Sequence, residues 1–240
     1  MNQTVFKRYE LKFRLKRSQY QALLPLLQLH MTEDEHGKST IQSLYFDTPT
    51  FLLARRSLEH PMYKEKLRLR SYGLAKPDST VFIELKKKFD GVTYKRRAEL
   101  SWEQAQRWLY WNGADPLDTQ ITREIGYCLS HYEQLRPRVL LTYRREAWYG
   151  KDDHEFRVTF DENIAWRTQR LNLSSDFTGE KLIGDDEVLM EVKVSGAIPG
   201  WLVHFLSANH IYKTSFSKYG AAYQRVLAER HFKKGEQRYA

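Results

Sequence analysis

The chain of 240 residues has a single cysteine, Cys128, so it forms no internal disulfide and builds no cysteine-rich zinc site. Nothing in that count argues for secretion. The first fifteen residues, MNQTVFKRYELKFRL, lack the apolar run of a signal peptide. No stretch approaches the ~20 apolar residues of a membrane-spanning helix. A cytoplasmic location is expected by default. Eight histidines are scattered without HExxH or another ligand spacing, and RNP, helix-turn-helix and zinc motifs are missing. Internal repeats, low-complexity tracts and long linkers are missing too, so a single domain over 1–240 is expected. Positive charge, by contrast, is plentiful. The 39 Lys and Arg against 30 Asp and Glu give a net charge of +9. That balance points to an anionic partner: nucleic acid, anionic lipid or a phosphorylated ligand.

Hydrophobic residues make up 41% of the chain, enough for a sizeable core. Helices are expected at 18–29, 49–57, 119–135, 217–232 and after Ser101, where Ser101 and Gln104 have capping-box spacing. Strand-like runs lie near 6–15, 41–47, 65–72, 81–88, 92–100, 138–148, 155–161 and 188–195. Loops are expected at 75–80 and 171–186. Eight strands with interspersed helices suggest an antiparallel α+β fold.

The charges on these strands are not scattered. In KEKLRLRSYG, Lys66, Arg68 and Arg70 alternate with Leu67 and Leu69, the two-residue period of a strand with one apolar face. Val81, Ile83 and Leu85 likewise oppose Glu84 and Lys86; Met190, Val192 and Val194 oppose Glu191 and Lys193. Arg8, Glu10, Lys12 and Arg14 share one side, as do Lys95, Arg97 and Glu99, then Tyr143 and Arg145, then Arg157, Thr159 and Asp161. One reading is an open sheet whose charged face meets water. The other is a closed barrel with a polar lumen and helices outside, with room for one ligand. Packing Arg and Lys there is unfavourable, since like charges ~4–8 Å apart repel by roughly 2–4 kcal/mol at an effective dielectric near 20. Such a lumen makes sense around a dense polyanion, because Arg presents a planar fork to phosphate and Lys a mobile point charge.

The order KLRLR, IELKKK…YKRR, TYRREA, FRVTFD, MEVKV and SFSKY resembles the VTC domain. That domain is the polyphosphate polymerase module of the vacuolar transporter chaperone family, within the CYTH or triphosphate tunnel superfamily. The resemblance runs from about Phe6 to Tyr223. It implies an eight-stranded antiparallel tunnel with helices packed around it, and transfer of the ATP γ-phosphoryl group to inorganic polyphosphate with Mn²⁺ or Mg²⁺. Carried over by position, it implies catalytic roles for Arg68, Arg70, Lys86, Arg145 and Arg157. Substrate-binding roles fall to Lys12, Lys66, Lys95, Tyr143, Lys193, Ser217 and Lys218, with Arg8 also in the lumen. Glu191 corresponds to the metal-binding glutamate.

Two departures stand out. Hydrolytic relatives open with ExExK, whereas Arg8-Tyr9-Glu10-Leu11-Lys12 has arginine for one glutamate, which argues against a carboxylate-rich hydrolytic site. The eukaryotic polymerase has lysine where Ser215 stands, so Lys213 is the candidate replacement. The sensor domain and membrane helices of the eukaryotic complexes are not present, so export of a product would need another protein. The residues alone leave alternatives. Arg96 or Arg97 takes the place of Lys95 if the register shifts. Glu191 serves as metal ligand or ion-pair partner. Ser217 caps a helix, binds phosphate, or does both. A triphosphatase or a non-catalytic polyphosphate binder needs the same cations.

Overall fold

A computed structural model describes residues 9–236 except 60, 91 and 112. Ten strands and six helices are present among them, in the order β1 (Tyr9–Lys16), α1 (Arg17–His30), β2 (Met31–Asp47), α2 (Leu52–Leu58), β3 (Tyr63–Tyr72), β4 (Thr80–Phe89), β5 (Val92–Ser101), α3 (Trp102–Tyr110), α4 (Gln120–His131), β6 (Arg136–Gly150), β7 (Arg157–Arg167), β8 (Glu180–Lys181), β9 (Glu187–Val194), α5 (Gly200–Ala208), β10 (Lys213–Thr214) and α6 (Lys218–Glu236). All eight expected strands and all five expected helices form. Two short strands, β8 and β10, and one helix, α5, are added.

The chain divides into two compact units. The first takes residues up to Thr40, then Tyr143–Ile164 and Ile183–Phe216; the second takes Ile41–Thr142, Ala165–Leu182 and the residues from Ser217 onward. Hydrogen-bonded neighbours follow the order β10-β1-β9-β7-β6-β2-β3-β4-β5, with β8 against β7. The sheet is antiparallel and open, with β10 and β5 as its outer strands among the described residues. The closed eight-stranded barrel expected from the sequence is therefore not what the hydrogen bonds show.

Each unit has its own apolar cluster. In the second, Leu67, Leu69, Ile83, Leu85, Ala98 and Leu100 project from one face of β3, β4 and β5 onto Trp102, Trp108 and Ile125 of α3 and α4. Ser101 caps α3 as its spacing predicts: its hydroxyl accepts from Gln104 N at 3.1 Å while Gln104 Oε1 accepts from Ser101 N at 2.9 Å. In the first unit, Phe13, Leu15, Val158, Phe160, Met190 and Val192 meet Leu23 and Leu27 of α1 and Leu202 and Phe205 of α5. Burying these faces leaves the opposite, charged face of each sheet uncommitted to the cores.

Asp47, at the end of β2, is completely buried. Its carboxylate accepts from Thr48 N, Leu53 N and Ala54 N at 2.8–2.9 Å and from the Tyr219 hydroxyl at 2.6 Å. It thus satisfies the first amides of α2 and ties that helix to α6. Burial, together with Asp47, pushes the Tyr219 hydroxyl well above its usual range. Asp47→Ala is expected to lower stability by about 3 kcal/mol, because several buried donors lose their acceptor. Urea unfolding of parent and variant measures it; a change under about 0.5 kcal/mol would contradict this role.

Candidate functional site

The alternation in β3, β4 and β5 becomes a grid once their register is fixed. Lys66, Lys86 and Lys95 form one cross-strand row, Arg68, Glu84 and Arg97 the next, and Arg70, Phe82 and Glu99 the third. From β2, Tyr45 pairs beside Arg68 and Ser43 beside Arg70. Residues directly opposite in an antiparallel pair share a face, so these side chains point together. The register also separates the three basic residues of YKRR. Lys95 and Arg97 join the charged face, whereas Arg96 points away and pairs with Glu124 at 3.1 Å.

Glu84 is at the centre and is 2% exposed. Arg68 Nε donates to its Oε2 at 2.7 Å, and Lys95 Nζ lies 2.6 Å from Oε1. Arg97 Nε is 3.8 Å from Oε1 and Arg70 Nη1 4.0 Å from Oε2. Burial alone would raise the Glu84 pKa, but Arg68, Arg70 and Lys95 overcome it and hold the carboxylate far below its usual range. These four cations share the one carboxylate. Burial, first of all, lowers the Lys95 pKa, and the contact with Glu84 does not restore it against Arg68 and Arg70. Tyr45 feels the same cations. Burial should raise its hydroxyl pKa, yet Arg68, Arg70 and Lys218 bring it below the ordinary value. Tyr45 accepts from Arg68 Nη1 at 3.0 Å and stacks on Tyr219 with ring centroids 4.3 Å apart.

Ser217 and Lys218 open α6 in the same unit. The Ser217 hydroxyl accepts from Gly220 N at 3.2 Å, the ordinary cap, and Lys66 Nζ lies 3.4 Å from it. Lys218 is buried and close enough to depress Tyr45. Lys66, Arg68, Arg70, Lys95 and Lys218 are therefore gathered around one patch, with Lys86 in the lysine row.

The first unit has a second cluster. Arg145 grips the fully buried Asp161 with two bonds, Nε to Oδ1 at 2.6 Å and Nη2 to Oδ2 at 2.7 Å. Nη2 also reaches Glu191 Oε2 at 3.4 Å, and Lys12 Nζ stands 3.5 Å from Glu191 Oε1. Burial would favour losing the Arg145 proton, but Asp161, Tyr143 and Glu191 hold it charged. The Arg145 guanidinium lies 5.3 Å from the centroid of the buried Tyr143 ring. Glu10, Lys193 and Arg157 form one cross-strand row, and Lys12, Glu191 and Thr159 the next. Arg157 is turned to Asp34 at 3.0 Å. Arg8 lies outside the described residues.

Sequence reasoning left Glu84, Asp161 and Tyr45 without roles. Alternation placed the two carboxylates on the charged faces, but only the strand register shows which cations they hold. Tyr45 had no such signal, because Leu44, Tyr45 and Phe46 are all buried.

Glu84→Gln is expected to destabilise the fold at pH 7 by about 3 kcal/mol or more, since buried cations lose their counter-ion. The folded pKa of Glu84 is depressed, so its contribution is complete above the unfolded value near ~4.3 and fades as pH falls through the folded one. The gap between parent and variant should be constant at pH 6–8 and narrow as pH drops toward about 3. Melts across that range check it; a gap that stays unchanged at low pH would contradict the assignment.

The VTC domain family model matches residues 7–227. No curated protein matches the sequence. Among solved structures, a protein from Bacillus halodurans provisionally described as an adenylate cyclase is similar at TM-score 0.55 and 15% identity, over 87% of this chain and 92% of that one. An adenylyl cyclase candidate from Hippeastrum, described as having a dominant triphosphatase activity, is similar at TM-score 0.52 and 16% identity, over 89% and 93% of the two chains. At such identities the likeness is one of fold. The matched segment takes in every strand described above, and the chain belongs to the VTC domain family.

Proposed function

We propose that the chain is a polyphosphate polymerase, transferring the γ-phosphoryl group of ATP to the end of an inorganic polyphosphate chain. The observation that carries this reading is the gathering of Arg68, Arg70, Lys95 and Arg97 within 4.0 Å of the single buried carboxylate of Glu84. A phosphate chain offers these cations further negative charge together with many acceptor oxygens. Closure of the strands into a tunnel, as in the family, is part of this proposal.

The chemistry asks little of the protein beyond position and charge. An oxygen of the terminal chain phosphate attacks Pγ, the bond from Pγ to the bridging oxygen of ADP breaks, and the polyphosphate gains one unit as ADP leaves. The attacking oxygen is already anionic, so no general base is needed. Arg68, Arg70, Lys86, Arg145 and Arg157 are assigned to the charge that builds on the transferred group and the bridging oxygen. Lys12, Lys66, Lys95, Tyr143, Lys193, Ser217 and Lys218 are assigned to holding the chain.

A triphosphatase on the same residues must activate water instead. Glu84, Asp161 and Glu191 are each committed to Arg or Lys, which supports transfer over hydrolysis. The same commitment bears on Mn²⁺ or Mg²⁺. Glu191 is the carboxylate assigned to the ion, but its two oxygens face Lys12 and Arg145. Among the described residues no three His, Cys, Asp or Glu gather. The residues present do not fit a resident metal cage, and the proposed ion is one that travels with the phosphates.

Incubating the protein with ATP and Mn²⁺ or Mg²⁺, followed by chain-length analysis, tests the function. Long polyphosphate is expected; orthophosphate as the sole product would select the triphosphatase, and no turnover would leave a binder. Glu191→Gln separates the two roles of that residue. As a metal ligand, its loss shifts the Mn²⁺ requirement for turnover upward while tripolyphosphate binding in EDTA holds or tightens. Overlapping Mn²⁺ titrations of parent and variant would leave Glu191 an ion-pair partner alone.

A further inference from the structure

The charged face of β3, β4 and β5 changes character along its length. It opens with the all-lysine row of Lys66, Lys86 and Lys95, continues with Arg68, Glu84 and Arg97, and reaches Arg70 and Phe82 in the third row. Tyr72 lies one step further on β3 with the same alternation. Tyr72 is six residue steps beyond Lys66, a span of about 20 Å at roughly 3.3 Å per strand residue. The face thus runs from ammonium groups to aromatic rings.

At the aromatic end, the Arg97 guanidinium carbon is 3.6 Å from the centroid of the Phe82 ring. Tyr72 meets Phe82 edge-on, with centroids 5.8 Å apart at 85°, and is 50% exposed. Arg97 Nε is buried and makes no hydrogen bond, Glu84 being 3.8 Å away. A chain of phosphates has no use for these rings, since it offers them neither a π-face nor apolar surface. A nucleobase offers both, and it stacks equally on aromatic side chains and on the plane of arginine.

We propose that Tyr72, Phe82 and Arg97 form a nucleobase subsite, with the triphosphate of the same ligand directed along the face toward the lysine row. The proposal rests on the reading of ATP as phosphoryl donor and adds how the donor is oriented. It sets the nucleoside at the Tyr72 end and the phosphates over Arg68, Arg70, Lys86 and Lys95. Stacking does not read base edges, so GTP should bind about as well as ATP. What the rings distinguish is a nucleotide from bare polyphosphate.

ATP and tripolyphosphate differ by the nucleoside alone, so the ratio of their affinities isolates the subsite. Equilibrium binding of both to the full chain is measured for the parent, Tyr72→Ala and Phe82→Ala. Tyr72 is half exposed and its loss leaves the core untouched, whereas Phe82→Ala also removes the ring under Arg97. The expected result is ATP binding weakened by about tenfold in each variant, with tripolyphosphate affected far less. Equal loss for both ligands overturns the proposal, because the rings would then only shape the phosphate site. Unchanged ATP affinity in both variants overturns it as well. A parent that binds neither ligand defeats the polyanion reading itself, a result distinct from failure of the subsite.

Discussion

The second unit is organised around a carboxylate that is outnumbered. Glu84 is buried, bonded to Arg68 and Lys95, and within 4.0 Å of Arg70 and Arg97. Without it, Arg68, Arg70, Lys95 and Arg97 would lose a shared counter-ion, and keeping them at this site would cost more. With it, four cations share one buried carboxylate, and Arg68, Arg70 and Lys218 bring the buried Tyr45 hydroxyl below its ordinary value. Under the proposed function, the phosphate chain meets these same four contacts.

The sheet makes this possible through its period of two. Leu67, Leu69, Ile83 and Leu85 go to the core, and their neighbours Arg68, Glu84 and Lys86 must therefore share the other face. The first unit follows the same plan with different accounting. Arg145 is held by Asp161 and Glu191, and Glu191 is shared with Lys12, so cations and carboxylates alternate there. The lysine row and the arginine rows also differ in kind. Lysine presents a point charge on a flexible stem, as at Lys66, Lys86 and Lys95, whereas the forks of Arg68 and Arg70 are held by Glu84, Tyr45 and Ser43; Lys95 too is tied to Glu84.

Most of this face was legible in the sequence because apolar and basic residues alternate without a break from Lys66 to Arg70, and Val81, Ile83 and Leu85 keep one face apolar opposite Glu84 and Lys86. The Ser101–Gln104 cap was legible from spacing, and the strands from their runs. Three things were not. The first half of β2, TEDEHGKST, is polar on both faces, so no alternation marks it as a strand. The helix GWLVHFLSA of α5 is apolar on almost every side and shows no period of 3.6. Asp47 could not be read at all, since its partner Tyr219 is 172 residues away and the amides it holds carry no sequence signal. The choice among Lys95, Arg96 and Arg97 needed the pairing of Lys86 with Lys95. The eight-stranded count missed β8 and β10, each two residues long and below what periodicity detects.

The central claim is that an inorganic polyanion relieves the charge excess of the folded protein, and thermal unfolding measures that relief directly. Melting is followed with increasing tripolyphosphate at constant ionic strength, so that general screening is held fixed. Binding to the folded state alone should add about 2.7 kcal/mol at a hundredfold excess over the dissociation constant, a rise of roughly 5–10 °C for a chain of this size. A melting temperature that stays flat up to saturating tripolyphosphate would contradict the account.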